Sequence, residues 1–143
     1  MSYRVLIPTA GTGSRLEDLT RFLNKSLITV ANRPVLACLI DQFPADAEFV
    51  IALGHKGELV REFLSLAYPK RTFFFTEVAP FEGPGSGLGL SVLMCREFLQ
   101  EPFVFCSCDT LVDEPIPLPD NNWMGHAQVD NIIPYRTLRL VQG

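Results

Sequence analysis

Near the start of the chain, the stretch Ala10-Gly-Thr-Gly-Ser-Arg15 is followed ten positions later by Lys25. Gly11 and Gly13 let the backbone approach a ligand closely and turn successive N–H groups toward an anion. Arg15 adds a forked cation suited to phosphate oxygens, and Lys25 adds a compact one. Together these groups can neutralise a polyphosphate. Far downstream, Asp109 closes the apolar run Phe103-Val-Phe-Cys-Ser-Cys108 and offers a carboxylate to a hard cation such as Mg²⁺. A turn-forming aspartate is the competing reading there. A second glycine-rich segment, Gly83-Pro-Gly-Ser-Gly87, could bring backbone close to a ligand or could simply open a helix.

These residues must be positioned by something, and the apolar pattern says what. Short apolar runs recur at Val5–Ile7, Phe49–Leu53, Thr72–Phe75 and Pro102–Cys106. Segments with helical spacing follow the first three. Arg33–Ile40 has Pro34 near its start, 57–64 places Leu59, Val60, Phe63 and Leu64 on one face, and 87–99 repeats the pattern. The runs are almost wholly apolar rather than alternating, as strands covered on both faces are. The pattern predicts an α/β fold, a Rossmann-like three-layer α/β/α arrangement with a mostly parallel sheet, in a single domain over 1–143. In such a sheet, ligands bind outside the carboxyl ends of the strands, where the loop after the first strand lies. The stretch 113–122, rich in proline, acids and amides, reads as a surface loop, and 126–141 as one or two further strands. The chain is expected to be the N-terminal part of something longer, cut short on the C-terminal side of the sheet.

Composition narrows the function classes. The formal net charge of −4 argues against a nucleic-acid or membrane-surface partner, both of which need a basic excess. The four cysteines form no Cys-x-x-Cys, and no histidine stands near them at metal-ligand spacing, so they read as reduced buried thiols. Cys106 and Cys108 are expected on one face of a strand. No apolar run is long enough to cross a bilayer, and the chain is expected to be cytoplasmic.

Two familiar phosphate loops are excluded. The pattern Gly-x-x-x-x-Gly-Lys-Ser/Thr is absent, and the dinucleotide fingerprint fails because Leu16 stands where its third glycine belongs. The wider pattern from Ala10 to Leu36 resembles the signature of the sugar-1-phosphate nucleotidyltransferases. Gly11, Gly13, Ser14, Arg15, Leu16, Leu19, Thr20, Lys25, Leu27 and Pro34 all match it. The segment Glu82–Leu90 occupies the place of that family's base-facing glycine-rich segment, and Asp109 the place of its Mg²⁺-binding aspartate. The resemblance covers the chain from Val5 to about Asp113. Pro8-Thr9 stand where the family usually has two alanines, and Asn24 where it usually has proline.

The resemblance implies an enzyme that transfers a nucleoside monophosphate from a nucleoside triphosphate to a sugar 1-phosphate or related acceptor, releasing pyrophosphate. Arg15 would neutralise the departing phosphates, and Lys25 would hold the α-phosphate and the acceptor phosphate together. Ala10, Gly11, Thr12, Gly13, Ser14, Gly83, Gly85, Ser86 and Gly87 would bind the nucleotide. Asp109 would hold Mg²⁺, with Asp113 a weaker second candidate and Glu77 a loosely held contact to the base or ribose. Polysaccharide biosynthesis is the usual use of such products, and a homo-oligomer is compatible. Two alternatives stay open. Asn24-Lys-Ser-Leu27 is closer to relatives that load choline phosphate with cytidylate, and a non-catalytic nucleotide-binding module would also keep the loop.

Overall fold

The computed structural model describes residues 3–131 and Ile133. Four parallel strands form its central sheet: β1 (Arg4–Pro8), β4 (Glu48–Leu53), β5 (Thr72–Glu77) and β6 (Phe103–Phe105). Their spatial order is β5-β4-β1-β6. A two-stranded ribbon, β2 (Thr29–Val30) with β3 (Arg33–Pro34), precedes the first helix. The helices are α1 (Val35–Ile40), α2 (Gly57–Ala67) and α3 (Leu88–Met94).

The central strands β1 and β4 are apolar on both faces because both faces are covered. Val5, Ile7, Phe49, Ile51, Leu53 and Val104 pack with Leu36, Leu39 and Ile40 of α1 and with Val60 and Leu64 of α2. On the opposite face Leu6, Val50 and Ala52 meet Leu90 and Val92 of α3. Phe73 and Phe75 join the first core and Phe74 the second, so the aromatic run of β5 is packed strand. Phe49 is fully buried and sits edge-on to Phe43 at 5.8 Å. Truncating such a residue to alanine typically costs about 3–5 kcal/mol.

This layering follows from the strand order. The chain steps from β1 to β4 to β5 in one direction, then returns past β1 to add β6 on its other side. Right-handed crossovers require that the reversal place α3 on the face opposite α1 and α2. The neighbouring strands β1 and β6 therefore flank the point where the topology switches, and a crevice opens beyond their carboxyl ends.

Some expectations are modified. The helix expected over 87–99 is interrupted at Cys95, after which a 3₁₀ turn runs from Arg96 to Phe98. No strand forms over 126–131, and the rest of the strand expected to 141 lies outside the described residues except Ile133. The segment 113–122 is a loop, as expected. Cys106 and Cys108 pack into the same core, although β6 itself ends at Phe105. Burial pushes both thiols up to about 11, so neither is a reactive nucleophile at neutral pH.

Candidate active site

The loop leaving β1 is fixed from below. Thr9 is fully buried, its N–H and its hydroxyl both donating to the Ala52 carbonyl at 2.9 Å. The Ala10 carbonyl accepts from the His55 N–H at 3.0 Å. Gly54 makes that approach possible, since a Cβ there would lie 2.6 Å from the Ala10 oxygen. The remaining donors of the loop are unspent: among the described residues the N–H groups of Ala10, Gly11, Thr12 and Gly13 meet no acceptor.

Gly13 turns the chain into a 3₁₀ helix over Ser14–Thr20 by adopting φ +66°. Its carbonyl accepts from the Leu16 N–H at 2.8 Å and from the Thr20 hydroxyl at 3.3 Å. A Cβ on Gly13 would stand 2.9 Å from Thr20 Cγ2 and 3.2 Å from Lys25 Cβ, so the glycine also makes room for the lysine. Arg15 is the second residue of this helix, exposed and without an ion pair among the described residues. Lys25 opens a second 3₁₀ turn, Lys25–Leu27, which is anchored by buried Ser26 and Leu27.

Lys25 Nζ reaches Asp109 Oδ2 at 2.9 Å, across the switch point between β1 and β6. The Ser107 hydroxyl donates to the other carboxylate oxygen. Burial by itself would lower the Lys25 ammonium, but Cys108 and the Asp109 carboxylate outweigh it, and the pKa is raised. Burial likewise works against ionising Asp109, yet the Ser107 hydroxyl and the Lys25 ammonium prevail and hold its carboxyl below the ordinary value. Both groups are charged at neutral pH.

A cleft of about 740 Å³ brings these pieces together, within the size range of small-molecule sites. Ala10, Gly11, Thr12, Gly13, Ser14, Arg15, Lys25 and Asp109 line one part of it, and Gly83, Ser86 and Gly87 another. Gly85 does not line it, although it shares a positive φ with Gly83. Glu77 is absent from the lining and pairs instead with Arg61 at 2.8 Å. Asp113 lines a separate depression beside Gln42 and Glu114. The Trp123 indole donates to the Leu118 carbonyl, away from the cleft lining.

The structure adds residues that the sequence did not single out. Phe81, Phe105 and Ser107 line the cleft, and Asn24, His55 and Gly54 hold its floor. The signal for Asn24 was its departure from the expected proline; nothing in the spacing marked Phe81 or Phe105.

Comparison with known proteins identifies the architecture. No family model matches the chain. It is similar to the bifunctional protein GlmU of Methanococcus maripaludis, 26% identical over 129 residues that cover 88% of this chain and 30% of that protein. It superposes on a UDP-glucose pyrophosphorylase from Acinetobacter baumanii with a TM-score of 0.65 at 16% identity, covering 80% of this chain and 48% of the other. The chain shares the fold of that protein. A CTP:phosphocholine cytidylyltransferase from Streptococcus pneumoniae superposes with a TM-score of 0.61 at 18% identity, over 85% of this chain and 51% of that one. The chain thus spans about half the length of these two solved structures and 30% of the curated relative. Among the described residues, no helix is long and apolar enough to cross a membrane.

Proposed function

We propose that the cleft is a nucleoside triphosphate site and that the chain is the nucleotide-binding part of an enzyme that transfers a nucleotidyl group to a sugar 1-phosphate or related phosphate. The observation that carries this reading is the Lys25–Asp109 pair, placed at the switch point beside the Ala10, Gly11, Thr12 and Gly13 N–H groups, which meet no acceptor among the described residues. Cation, anion and free donors converge where a polyphosphate and its counter-ion need them. The names of similar solved structures support it: one is named as a glucose-1-phosphate thymidylyltransferase and another as a CTP:phosphocholine cytidylyltransferase.

In the reaction, an acceptor phosphate oxygen attacks the α-phosphorus, the bond from that phosphorus to the bridging β-oxygen breaks, and pyrophosphate departs. Such transfers ask a protein mainly for positioning and charge stabilisation. The loop N–H groups and Arg15 hold the β- and γ-phosphates and take up charge on the leaving pyrophosphate. Lys25 bridges the α-phosphate and the acceptor, two groups that repel each other.

The donor set suits Mg²⁺. No group of three or more carboxylate, histidine or cysteine ligands occurs among the described residues, which is poor for zinc or a calcium cage. Magnesium is typically held by one or two carboxylates together with substrate phosphates, and Asp109, with its side chain 50% exposed, can supply one. When bound there, the ion would neutralise phosphate charge and free Lys25 from its partner.

A choline-type acceptor is the second reading, favoured by Asn24-Lys-Ser-Leu27 and by the phosphocholine cytidylyltransferase likeness. A thermal-shift panel of ATP, GTP, CTP, UTP, dTTP and NAD with Mg²⁺ tests both. One triphosphate at a hundred times its dissociation constant adds about 2.7 kcal/mol of stability. That gain should shrink in Arg15→Ala and Asp109→Ala. Stabilisation by CTP alone points to the cytidylyl reading, and stabilisation by NAD alone sinks both.

A further inference from the structure

Asn24 is fully buried, and it uses its whole hydrogen-bonding capacity. Its Nδ2 donates to the Thr9 carbonyl at 2.8 Å and to the His55 carbonyl at 2.6 Å. Its Oδ1 accepts from the Ser26 N–H at 3.0 Å and the Ser26 hydroxyl at 2.8 Å, capping the turn that begins with Lys25. One amide therefore ties together the β1 loop, the β4 loop and the lysine turn. The β1 and β4 loops also meet through the His55 N–H bond to the Ala10 carbonyl, and Asn24 joins the lysine turn to both.

The direction of those bonds matters more than their number. In a trans peptide, the C=O and the following N–H point opposite ways. Asn24 draws the Thr9 carbonyl inward, so the Ala10 N–H faces outward. The His55 N–H draws the Ala10 carbonyl inward, so the Gly11 N–H faces outward too. Asn24 also holds His55 in place through that residue's own carbonyl, while the His55 ring Nε2 donates to the Thr20 carbonyl at 2.8 Å. The two N–H groups turned outward are among those that lack an acceptor.

We infer that Asn24 is a positioning residue for phosphate binding: it aims the Ala10 and Gly11 N–H groups and the Lys25 turn at one anion without touching that anion itself. This rests on reading the cleft as a triphosphate site, but not on which base or acceptor it takes. Asn24 does not line the cleft, whereas Ala10, Gly11 and Lys25 do.

The test uses inorganic triphosphate as the probe, read by calorimetry and by the backbone amide signals of Ala10 and Gly11. Asn24→Ala removes all four bonds. Asn24→Ser leaves a cap for the Ser26 N–H but loses both donors, and it carries the test if the alanine variant does not fold. Leu64→Ala is the control, because it lowers stability from a core position on α2 that does not line the cleft, and it leaves the Asn24 bonds intact. The expected result is triphosphate affinity about tenfold weaker or more in the Asn24 variants, with the two amide shifts lost. Leu64→Ala should lower the melting temperature yet bind as wild type does. Wild-type affinity and amide shifts in Asn24→Ser, or an equal loss of binding in Leu64→Ala, would overturn the inference. Asn24-dependent triphosphate binding with no response to any nucleotide would uphold it while refuting the nucleotidyltransferase reading. Failure of the wild type to bind triphosphate would refute both.

Discussion

Lys25 and Asp109 stand 84 positions apart in the chain and 2.9 Å apart across the cleft. Each comes from a different side of the switch point: Lys25 from the segment after β1, Asp109 from the segment after β6. The pair holds a cation and an anion in mutual neutralisation, and under the proposed function a triphosphate with its metal ion would offer each a new partner.

Replacing Lys25 should therefore separate binding from stability. Its side chain is 21% exposed and that of Asp109 50%, so solvent screens the pair and it contributes at most about 1 kcal/mol to folding. A hydrogen bond to a charged group is worth about 1.5–3 kcal/mol when lost from a ligand. Lys25→Ala should leave the urea midpoint nearly unchanged and weaken triphosphate binding about ten- to hundredfold. A large loss of stability with unchanged affinity would make Lys25 a structural residue.

The same pair sets a pH dependence with a definite sign. Asp109 titrates below its ordinary value of 3.8 in the folded chain, so the unfolded chain binds more protons just below that value. Its contribution is complete above 3.8 and is lost as pH falls through the folded value. Lys25 titrates above 10.5, so its contribution is complete below that value and is lost as pH rises through the folded one. Urea midpoints of wild type and Asp109→Asn should differ by a constant amount near neutrality and converge in acid below about pH 4. A gap that does not narrow as pH falls below 3.8 would mean that the Asp109 charge does not stabilise the fold.

The two loop glycines should respond in opposite ways. Gly13 adopts φ +66°, and a Cβ there would crowd Thr20 and Lys25. Gly13→Ala should cost about 1–3 kcal/mol through backbone strain. Gly11 has no positive φ, and a Cβ would meet nothing within 4 Å, because that space belongs to the cleft. Gly11→Ala should fold with stability within about 1 kcal/mol of wild type and bind triphosphate more weakly. Thermal melts with and without triphosphate distinguish the two; equal behaviour would remove Gly11 from the binding surface.

Much of this was legible in the sequence for a physical reason. Strands buried on both faces must be apolar throughout, so Val5–Ile7 and Phe49–Leu53 announced themselves, and the glycine-rich loop between strand and helix located the crevice. What local pattern cannot carry is closure between distant segments. Lys25 and Asp109 were each candidates, but their contact depends on β6 returning beside β1. Asn24 looked like a departure from a motif, and only its four partners reveal a junction. Of the one or two strands expected over 126–141, none forms over 126–131, where Val129 is the single β-branched residue and Ala127, Asp130 and Asn131 disfavour a strand. Gly85 was expected at the site for its place in the glycine-rich segment, but a glycine-rich turn does not say which of its residues face a ligand, and Gly85 does not line the cleft.

Gly54 gives the sharpest test of how the floor of the cleft is held. A Cβ at this position would lie 2.6 Å from the Ala10 oxygen and 2.8 Å from both Ala10 Cβ and Phe81 Cβ. None of these is the free end of a long side chain, so Gly54→Ala must displace backbone on one wall or the other. Such overpacking costs about 1–3 kcal/mol. The displacement would also disturb the His55 N–H bond to Ala10, which turns the Gly11 N–H outward. Stability and triphosphate affinity should therefore fall together. Leu64→Ala, in the core beneath α2, is the contrast: it should cost about 2–5 kcal/mol while the folded molecules bind as wild type does. If Gly54→Ala loses stability but binds normally, the loop is aimed by something other than this contact. If both variants lose affinity alike, binding tracks global stability rather than the geometry of the loop.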